Sequence, residues 1–217
     1  KRYMNYGQVK HAIMQLVYSD TIAGEEIAMT YNNQADYLKA IPALVNDCEM
    51  YIATTVKRIP KIVPLTSLDK QDFGAFDMYS MPSDFWRLMN GGLIWPTKND
   101  IGAPVFTRYH GYRLYANNQL LISKGVNGVS QMMVEYYRYP EALPAAPEDS
   151  AELDNTPEVH SIIPYYVAAH LVMYDDAFRY ASLWNEFETR LGRLTEPVFT
   201  ESEPIQDVYG FGYERSW

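Results

Sequence analysis

The 217-residue chain is poor in cysteine, in cationic side chains and in long apolar runs. Its one cysteine, Cys48, excludes a disulfide framework or a cysteine-based metal cluster within a single chain. The 18 Lys and Arg are outnumbered by 27 Asp and Glu, for a net charge of -9, which argues against tight binding of nucleic-acid phosphates. An acidic wall could still surround DNA, because it repels the polyanion. The lack of a signal peptide and of a long uncharged apolar run predicts a soluble protein made inside the cell.

Common catalytic and nucleotide-binding motifs are also missing, since no GxSxG, GxxxxGK[ST] or GxGxxG occurs. The four histidines are His11, His110, His160 and His170. They have neither the HExxH spacing nor cysteine partners that a zinc site requires. Asp175 and Asp176 are adjacent on a helical pattern and diverge around it, so they are not expected to share a proton. The sequence therefore predicts no catalytic residue, no metal site and no cofactor.

Two long segments have the three-and-four spacing of amphipathic helices. The first is Asn33–Ile59, in which Pro42 marks either a kink or the true start. The second is Pro157–Leu194, in which Pro164 leaves the same two alternatives open. Each segment has one apolar stripe, so we expect the two to pack on each other, with Trp184 in their interface. A shorter amphipathic helix is predicted before them, at Tyr6–Tyr18.

Between Lys61 and Pro140 the helical spacing gives way to short apolar runs separated by turn residues, which is typical of an antiparallel meander. Gly91-Gly92 is predicted to be one of these turns. The predicted strands include Val105–His110, Tyr112–Tyr115, Gln119–Ser123 and Met132–Tyr139. An acidic loop follows at Glu141–Thr156. The predicted fold is α+β and mainly helical: a helical bundle from both ends of the chain (1–60 and 157–194), an antiparallel β-rich insertion with the acidic loop (61–156), and an extended C-terminal arm (195–217).

The C-terminal arm combines an absence of helix or strand periodicity with a high content of aromatic residues. Four of its aromatic residues, Tyr209, Phe211, Tyr213 and Trp217, lie close together in the last nine positions. Apolar rings gain free energy by leaving water, so an extended aromatic arm needs a surface to lie on. We expect these four residues to form a partner interface on a neighbouring molecule, with folding back onto the same subunit as the alternative.

Four segments in a particular order give the chain a family resemblance. They are YNNQADYLKAIPALVNDCEMYI, MPSDFWRL, MMVEYYRYP and YYVAAHLVMYDDAFRYASLWNEFETRL. In this order the chain resembles the head-to-tail adaptor (head completion) proteins of tailed bacteriophages, over roughly Tyr6 to Leu194. The region 61–140 is larger than in the smallest members of that family, which leaves the identity of the next tail component open.

The resemblance implies a structural protein of the virion neck without enzyme activity, assembled in the cytoplasm of the bacterial host. It implies a homo-oligomeric ring, usually a dodecamer, that joins the portal protein of the capsid to a downstream tail or stopper protein. It also implies that genomic DNA passes through the ring without sequence-specific binding, and that no membrane is involved. The acidic loop and the turns of the β region are the segments we expect to face this DNA channel.

Two other functions compete with the structural one. In a carbohydrate- or peptide-binding module, the aromatic β region would hold the ligand, with Trp86, Trp95 and Tyr112 available for stacking. A small hydrolase would need residues that converge only in space, and the sequence nominates no nucleophile and base for it.

Overall fold

The computed structural model describes residues 4–18, 34–98, 104–116 and 118–194 of the chain. The helices are α1 (Tyr6–Tyr18), α2 (Gln34–Thr55), α3 (Pro157–His160), α4 (Ile163–Val172) and α5 (Ala177–Leu194). The strands are β1 (Ile59–Pro64), β2 (Asp69–Phe73), β3 (Phe76–Ser80), β4 (Phe85–Lys98), β5 (Pro104–Tyr109), β6 (Tyr112–Tyr115), β7 (Gln119–Ser123) and β8 (Met133–Arg138). Within the described residues, no helix is both long and apolar enough to cross a membrane.

Helix α2 runs through Pro42, so this proline lies inside the helix and does not begin it. The helix ends earlier than predicted, at Thr55, where the N–H groups of Val56 and Lys57 both bond to the carbonyl of Ile52. Ile59, predicted as the last helical residue, is instead the first residue of β1. The cause is Pro60, because a residue that precedes proline is pushed towards extended backbone.

The single helical pattern predicted for residues 157–194 is divided into α3, α4 and α5. Pro164 lies in the first turn of α4, where its missing N–H costs nothing. Asp176 begins α5 as its cap, because its Oδ1 accepts a hydrogen bond from the N–H of Arg179 at 2.9 Å. A helix-capping aspartate therefore occupies the position where the spacing alone predicted continuous helix.

Helix α4 lies at the centre of the helical unit and packs against α1, α2 and α5. It is buried nearly all round, including Ile163, Val167, Ala168 and Ala169 at 0% exposure. The other helices contribute their apolar stripes to the same core, with Val9, Ile13, Val45, Ile52 and Phe187 among the fully buried residues. Segments from the two ends of the chain thus share one hydrophobic core.

The eight strands form two antiparallel sheets, which share a second hydrophobic core. The first sheet has the order β1-β8-β4-β5 and the second the order β2-β3-β7-β6. Residues from both sheets meet in this core: Leu65, Leu68, Tyr79, Met81, Phe85, Leu93, Leu120, Ile122, Met132, Val134 and Tyr136. The prediction of a mainly helical fold, in which a helical bundle carries a β insertion, is therefore wrong, because this β sandwich buries its own apolar residues in a separate core.

The predicted turn at Gly91-Gly92 is also wrong, because both glycines lie within β4. The pairing of β4 with β8 shifts register between Leu88 and Leu93, and both glycines have positive φ, 101° and 45°. The extra residues form a bulge that bends β4 without ending it. A Cβ atom at Gly92 would lie 2.6 Å from the hydroxyl oxygen of Tyr112 on β6. The lack of a side chain at this position therefore lets Tyr112 lie close to β4.

Candidate functional site

The residue types that carry catalysis are dispersed. Within the described part of the chain, no group of three or more His, Cys, Asp or Glu is placed to hold a metal ion. Cys48 is fully buried in the helical core, and this burial raises the pKa of its thiol well above the ordinary value. His160 is also fully buried, and burial lowers the pKa of its imidazole. His170 packs its ring against Tyr166, with a centroid distance of 4.2 Å.

The adjacent acids Asp175 and Asp176 have separate structural roles. Asp175 accepts a hydrogen bond from the hydroxyl of Tyr37 on α2, and Asp176 caps α5. The first contact joins the α4–α5 turn to the start of α2, and the second fixes the beginning of α5. Both acids lie in the turn between α4 and α5, not within a helix as the sequence pattern suggested, and their carboxylates have different partners.

The sequence did not predict a buried polar contact that joins the helical unit to the segment before α3. Glu49 on α2 is 1% exposed and its Oε1 accepts a hydrogen bond from Asn155 Nδ2 at 3.3 Å. Burial raises the pKa of this carboxyl to about 7, although the hydrogen bonds from Asn155 act in the opposite direction. Glu49 falls on the buried side of α2 beside Cys48, so its position in the helical spacing was the signal that could have identified it.

Next to this contact, an ion pair joins the end of β8 to the same segment. The Arg138 guanidinium binds the Asp154 carboxylate through two nitrogens, with Nη2 to Oδ1 at 2.5 Å, and both side chains are about four-fifths buried. Asp154 also accepts the N–H of Glu141 at 2.7 Å. These contacts hold the pKa of the Asp154 carboxyl below its usual value despite partial burial. An ion pair therefore joins the strand before the acidic loop to the last part of that loop.

Other contacts also tie the acidic loop to the helices. Asp149 pairs with Lys10 on α1, and the backbone N–H and C=O of Leu143 both bond to the side chain of Asn46 on α2. Glu148 and Glu152 are exposed. Part of the loop's negative charge is thus neutralised locally, and its expected position along a DNA channel remains a prediction.

The most distinctive exposed feature is a cluster of arginine and aromatic side chains on the outer face of the first sheet. We define the arginine–aromatic surface as Arg58, Trp86, Arg87, Tyr137 and Tyr139. The Arg58 guanidinium lies over the rings of Tyr137 and Trp86, at 5.2 and 5.9 Å from their centroids. The Trp86 ring is 6.4 Å from that of Tyr137 and 6.4 Å from that of Tyr139. Such stacked cation–π contacts stabilise an exposed surface that is both positive and apolar.

Strand register explains why these residues meet. Arg87 on β4 and Pro60 on β1 both pair with Tyr137 on β8, so the three lie in one row across the sheet. The register of β4 shifts between Phe85 and Arg87, which leaves Trp86 as the bulged residue. The other two rings considered for ligand stacking, Trp95 and Tyr112, are partly buried against the sandwich core. Only Trp86 of the three contributes to this surface.

Other apolar side chains are exposed as well, among them two groups of aromatic residues. Tyr174 and Phe178, at the turn between α4 and α5, are 90% and 87% exposed. On the second sheet, Phe73 and Phe76 at the β2–β3 turn and Tyr115 on β6 are 40–49% exposed, and the rings of Phe73 and Tyr115 are 6.2 Å apart. Exposed aromatic groups of this kind are typical of protein–protein contacts.

The sequence-predicted interface residues Tyr209, Phe211, Tyr213 and Trp217 lie outside the described residues, as does the whole predicted arm from residue 195. The structure therefore leaves their assignment a prediction. The arginine–aromatic surface was missed, because its members are separated by up to 81 positions in the sequence and are brought together by strand register.

Comparison with known proteins identifies the family. No match was found among curated proteins. A family model described as SU10 adaptor protein matches residues 4–205, a range that includes both cores and ends before Tyr209, Phe211, Tyr213 and Trp217. The family is one of phage head–tail adaptors, which are structural connectors of the virion neck and have a non-enzymatic role. The resemblance seen in the sequence is thus confirmed, and the chain belongs to the SU10 adaptor family of phage head–tail adaptor proteins.

Proposed function

We propose that this adaptor forms a closed ring, a dodecamer, that joins the portal of the capsid to the next tail or stopper protein. Genomic DNA passes through the ring without sequence-specific contacts, and the ring assembles in the bacterial cytoplasm. The observation that carries the proposal is the family match over residues 4–205, which spans the helical core and the β sandwich together. The protein acts as a connector, and we assign it no catalytic residue and no cofactor.

The distribution of exposed aromatic residues supports a ring. Closed cyclic assemblies are built from two different surfaces that meet head to tail, so each subunit must present two unlike patches. The chain exposes Tyr174 and Phe178 on the helical unit, and the arginine–aromatic surface on the β sandwich. These patches differ in charge as well as position, because the first is flanked by Asp175 and Asp176 and the second contains two arginines.

We propose further that the subunit has three working parts. The helical unit (1–60 and 157–194) and the β-rich unit with its acidic loop (61–156) form the body, and the arm (195–217) secures the assembly. Tyr209, Phe211, Tyr213 and Trp217 are the interface residues of the arm, because buried aromatic side chains dominate interface energies. Pro197 and Pro204 restrict the free arm and so lower the conformational entropy lost on binding.

Native mass spectrometry of the purified chain, alone and with portal rings, tests the ring. We expect a species with the mass of twelve copies and a stable complex with the portal. A chain that remains monomeric in both samples would contradict the proposal.

A truncation tests the arm. Deletion of the residues after Thr195 should leave the melting temperature of the subunit unchanged but abolish assembly. A second variant keeps the full length and replaces Tyr209, Phe211, Tyr213 and Trp217 with serine, and it should fail in the same way. A truncated chain that unfolds, or that assembles as well as the complete chain, would rule out an assembly role for the arm.

A further inference from the structure

We propose that the arginine–aromatic surface binds the C-terminal arm, residues 195–217, of an adjacent copy of the chain. This inference rests on the proposed ring, because it assigns to that ring one specific contact between neighbours. It names both sides of the contact: the outer face of β1, β4 and β8 on one copy, and an acidic, aromatic segment on the next.

The first argument is the charge of the surface. The chain as a whole has a net charge of -9, yet this face presents Arg58 and Arg87 to solvent. Within the described part of the chain, neither guanidinium forms an ion pair with a carboxylate, and Arg58 is instead held over the Trp86 and Tyr137 rings. In an acidic protein, such a locally positive patch favours a partner segment that carries negative charge.

The second argument is the composition of the arm. It has one basic residue, Arg215, and five acidic residues: Glu196, Glu201, Glu203, Asp207 and Glu214. Its aromatic residues can stack against Trp86 and Tyr139, and its acids can pair with the two arginines. Aromatic and arginine side chains of one partner tend to contact those of the other at the centre of an interface. The arm is therefore complementary to the surface in charge and in side-chain type.

The third argument is the groove beside the surface. Its lining combines apolar rings with two basic and two acidic side chains: Pro60, Pro82, Tyr139, Pro140, Lys61, Arg138, Asp84 and Glu141. Pro60 and Tyr139 connect it to the arginine–aromatic surface. Aromatic side chains in a groove accept extended peptides that contain proline, because such peptides lose little entropy on binding. Pro197 and Pro204 give the arm this character.

The fourth argument is reach. The arm follows Leu194 at the end of α5, and its 195–217 segment spans at most about 83 Å when fully extended. This length is enough to reach a neighbouring subunit in a ring. Binding to a neighbour would join two unlike surfaces, as a cyclic ring requires, whereas binding to the same copy would close no contact between subunits.

Photo-crosslinking of the full-length protein tests the proposal. The photoreactive residue p-benzoylphenylalanine replaces Tyr213, and equal amounts of ¹⁴N- and ¹⁵N-labelled protein are mixed before assembly and irradiation. Mass spectrometry should find crosslinks from residue 213 to β1, β4 or β8, and about half of the crosslinked pairs should contain both isotopes. Crosslinks confined to single-isotope pairs would mean that the arm binds its own copy, and crosslinks to other elements would mean a different surface; either result overturns the proposal.

Two substitutions and a matched control identify the residues responsible. Arg58→Ala and Arg87→Ala, both at exposed positions, should each reduce the crosslink yield about tenfold, in line with the loss of an interface arginine. Arg113→Ala removes an exposed arginine from β6 in the other sheet and should leave the yield unchanged. If Arg58→Ala and Arg87→Ala weaken binding of duplex DNA but leave the crosslinks intact, the surface binds phosphate and the proposal is wrong.

The same samples separate this inference from the proposed function. Native mass spectrometry reports whether a ring forms, and the crosslinks report where the arm binds. A ring without crosslinks to the surface refutes the docking site and leaves the ring standing. Mixed-isotope crosslinks in a smaller oligomer support the docking site and refute the dodecameric ring.

Discussion

Phe187 on α5 is the side chain whose loss should most clearly destabilise the helical unit. It is fully buried, and its ring lies 5.1 Å from Tyr166 on α4, 5.2 Å from Trp184 and 6.3 Å from Tyr51 on α2, measured between centroids. Phe187 therefore links three helices of one core. Trp184, the residue expected there from the sequence, is only partly buried, and its Nε1 donates to Glu188 at 2.9 Å.

The expected cost of Phe187→Ala follows from this burial. Loss of the buried ring forfeits about 2 kcal/mol of transfer free energy. A residual cavity of about 80 Å³ adds about 2 kcal/mol at ~24 cal/mol per Å³. We therefore expect the free energy of unfolding to fall by about 4 kcal/mol, a large share of the ~5–15 kcal/mol that stabilises a typical domain.

Urea denaturation followed by far-ultraviolet circular dichroism, which reports the helices, measures this change. The matched control, measured like Phe187→Ala on the unassembled subunit, is Phe178→Ala, the same substitution on the same helix at a side chain that is 87% exposed. It should change the free energy of unfolding by less than about 0.5 kcal/mol. If the two variants unfold at the same urea concentration, α5 does not pack on α2 and α4 as described.

Two other substitutions test the buried acid and a turn. The folded-state pKa of Glu49, about 7, lies above its ordinary value of 4.5, so wild-type stability should fall by about 3 kcal/mol as pH rises through this window. Glu49→Gln should remove that dependence, so urea titrations at pH 4.5 and pH 8 should give similar free energies of unfolding. A difference between the two pH values as large as in the wild type would contradict the assignment. Gly128 has φ 76° and its Cβ would lie 2.2 Å from the Trp95 ring, whereas Gly125, at φ 86°, has open space. Gly128→Ala should therefore lower the melting temperature clearly more than Gly125→Ala, which adds backbone strain alone. Equal shifts in melting temperature would mean that Trp95 does not pack against Gly128.

Local sequence patterns predicted several elements well and their grouping poorly. Strands β5 to β8 lie within two residues of the predicted runs, because each is a short apolar segment bounded by turn residues. In the long helical pattern from residue 157, Pro164 signalled the start of α4. The break before α5 was not predicted, since an apolar stripe can continue across a turn when consecutive helices bury the same side. The grouping of eight strands into two sheets depends on contacts between distant segments, such as β1 with β8, and local spacing contains no information on these.

The candidate surface illustrates the same limit. Arg58, Trp86 and Tyr137 lie in three separate segments, and each alone looks like an ordinary surface or core residue. Their contacts arise from the register of β1, β4 and β8 and from the bulge at Trp86. The arm, by contrast, was predicted from the sequence, because an aromatic segment without periodicity is unusual by itself, and its role as a binding segment stays a prediction.

The contacts between the two folding units bear on how a ring of such subunits would close. In a head-to-tail ring, the angle between neighbours is determined by how the two contact surfaces are oriented on one subunit. The arm follows α5 in the helical unit, while the arginine–aromatic surface belongs to the β sandwich. The Arg138–Asp154 pair and the Glu49–Asn155 hydrogen bond lie between these units, at the end of β8 and on α2. The first of these contacts is bidentate and mostly buried, which fixes the relative orientation of the two side chains better than a single exposed ion pair would. On the proposed assembly, these contacts would help to fix the angle at which each subunit meets the next.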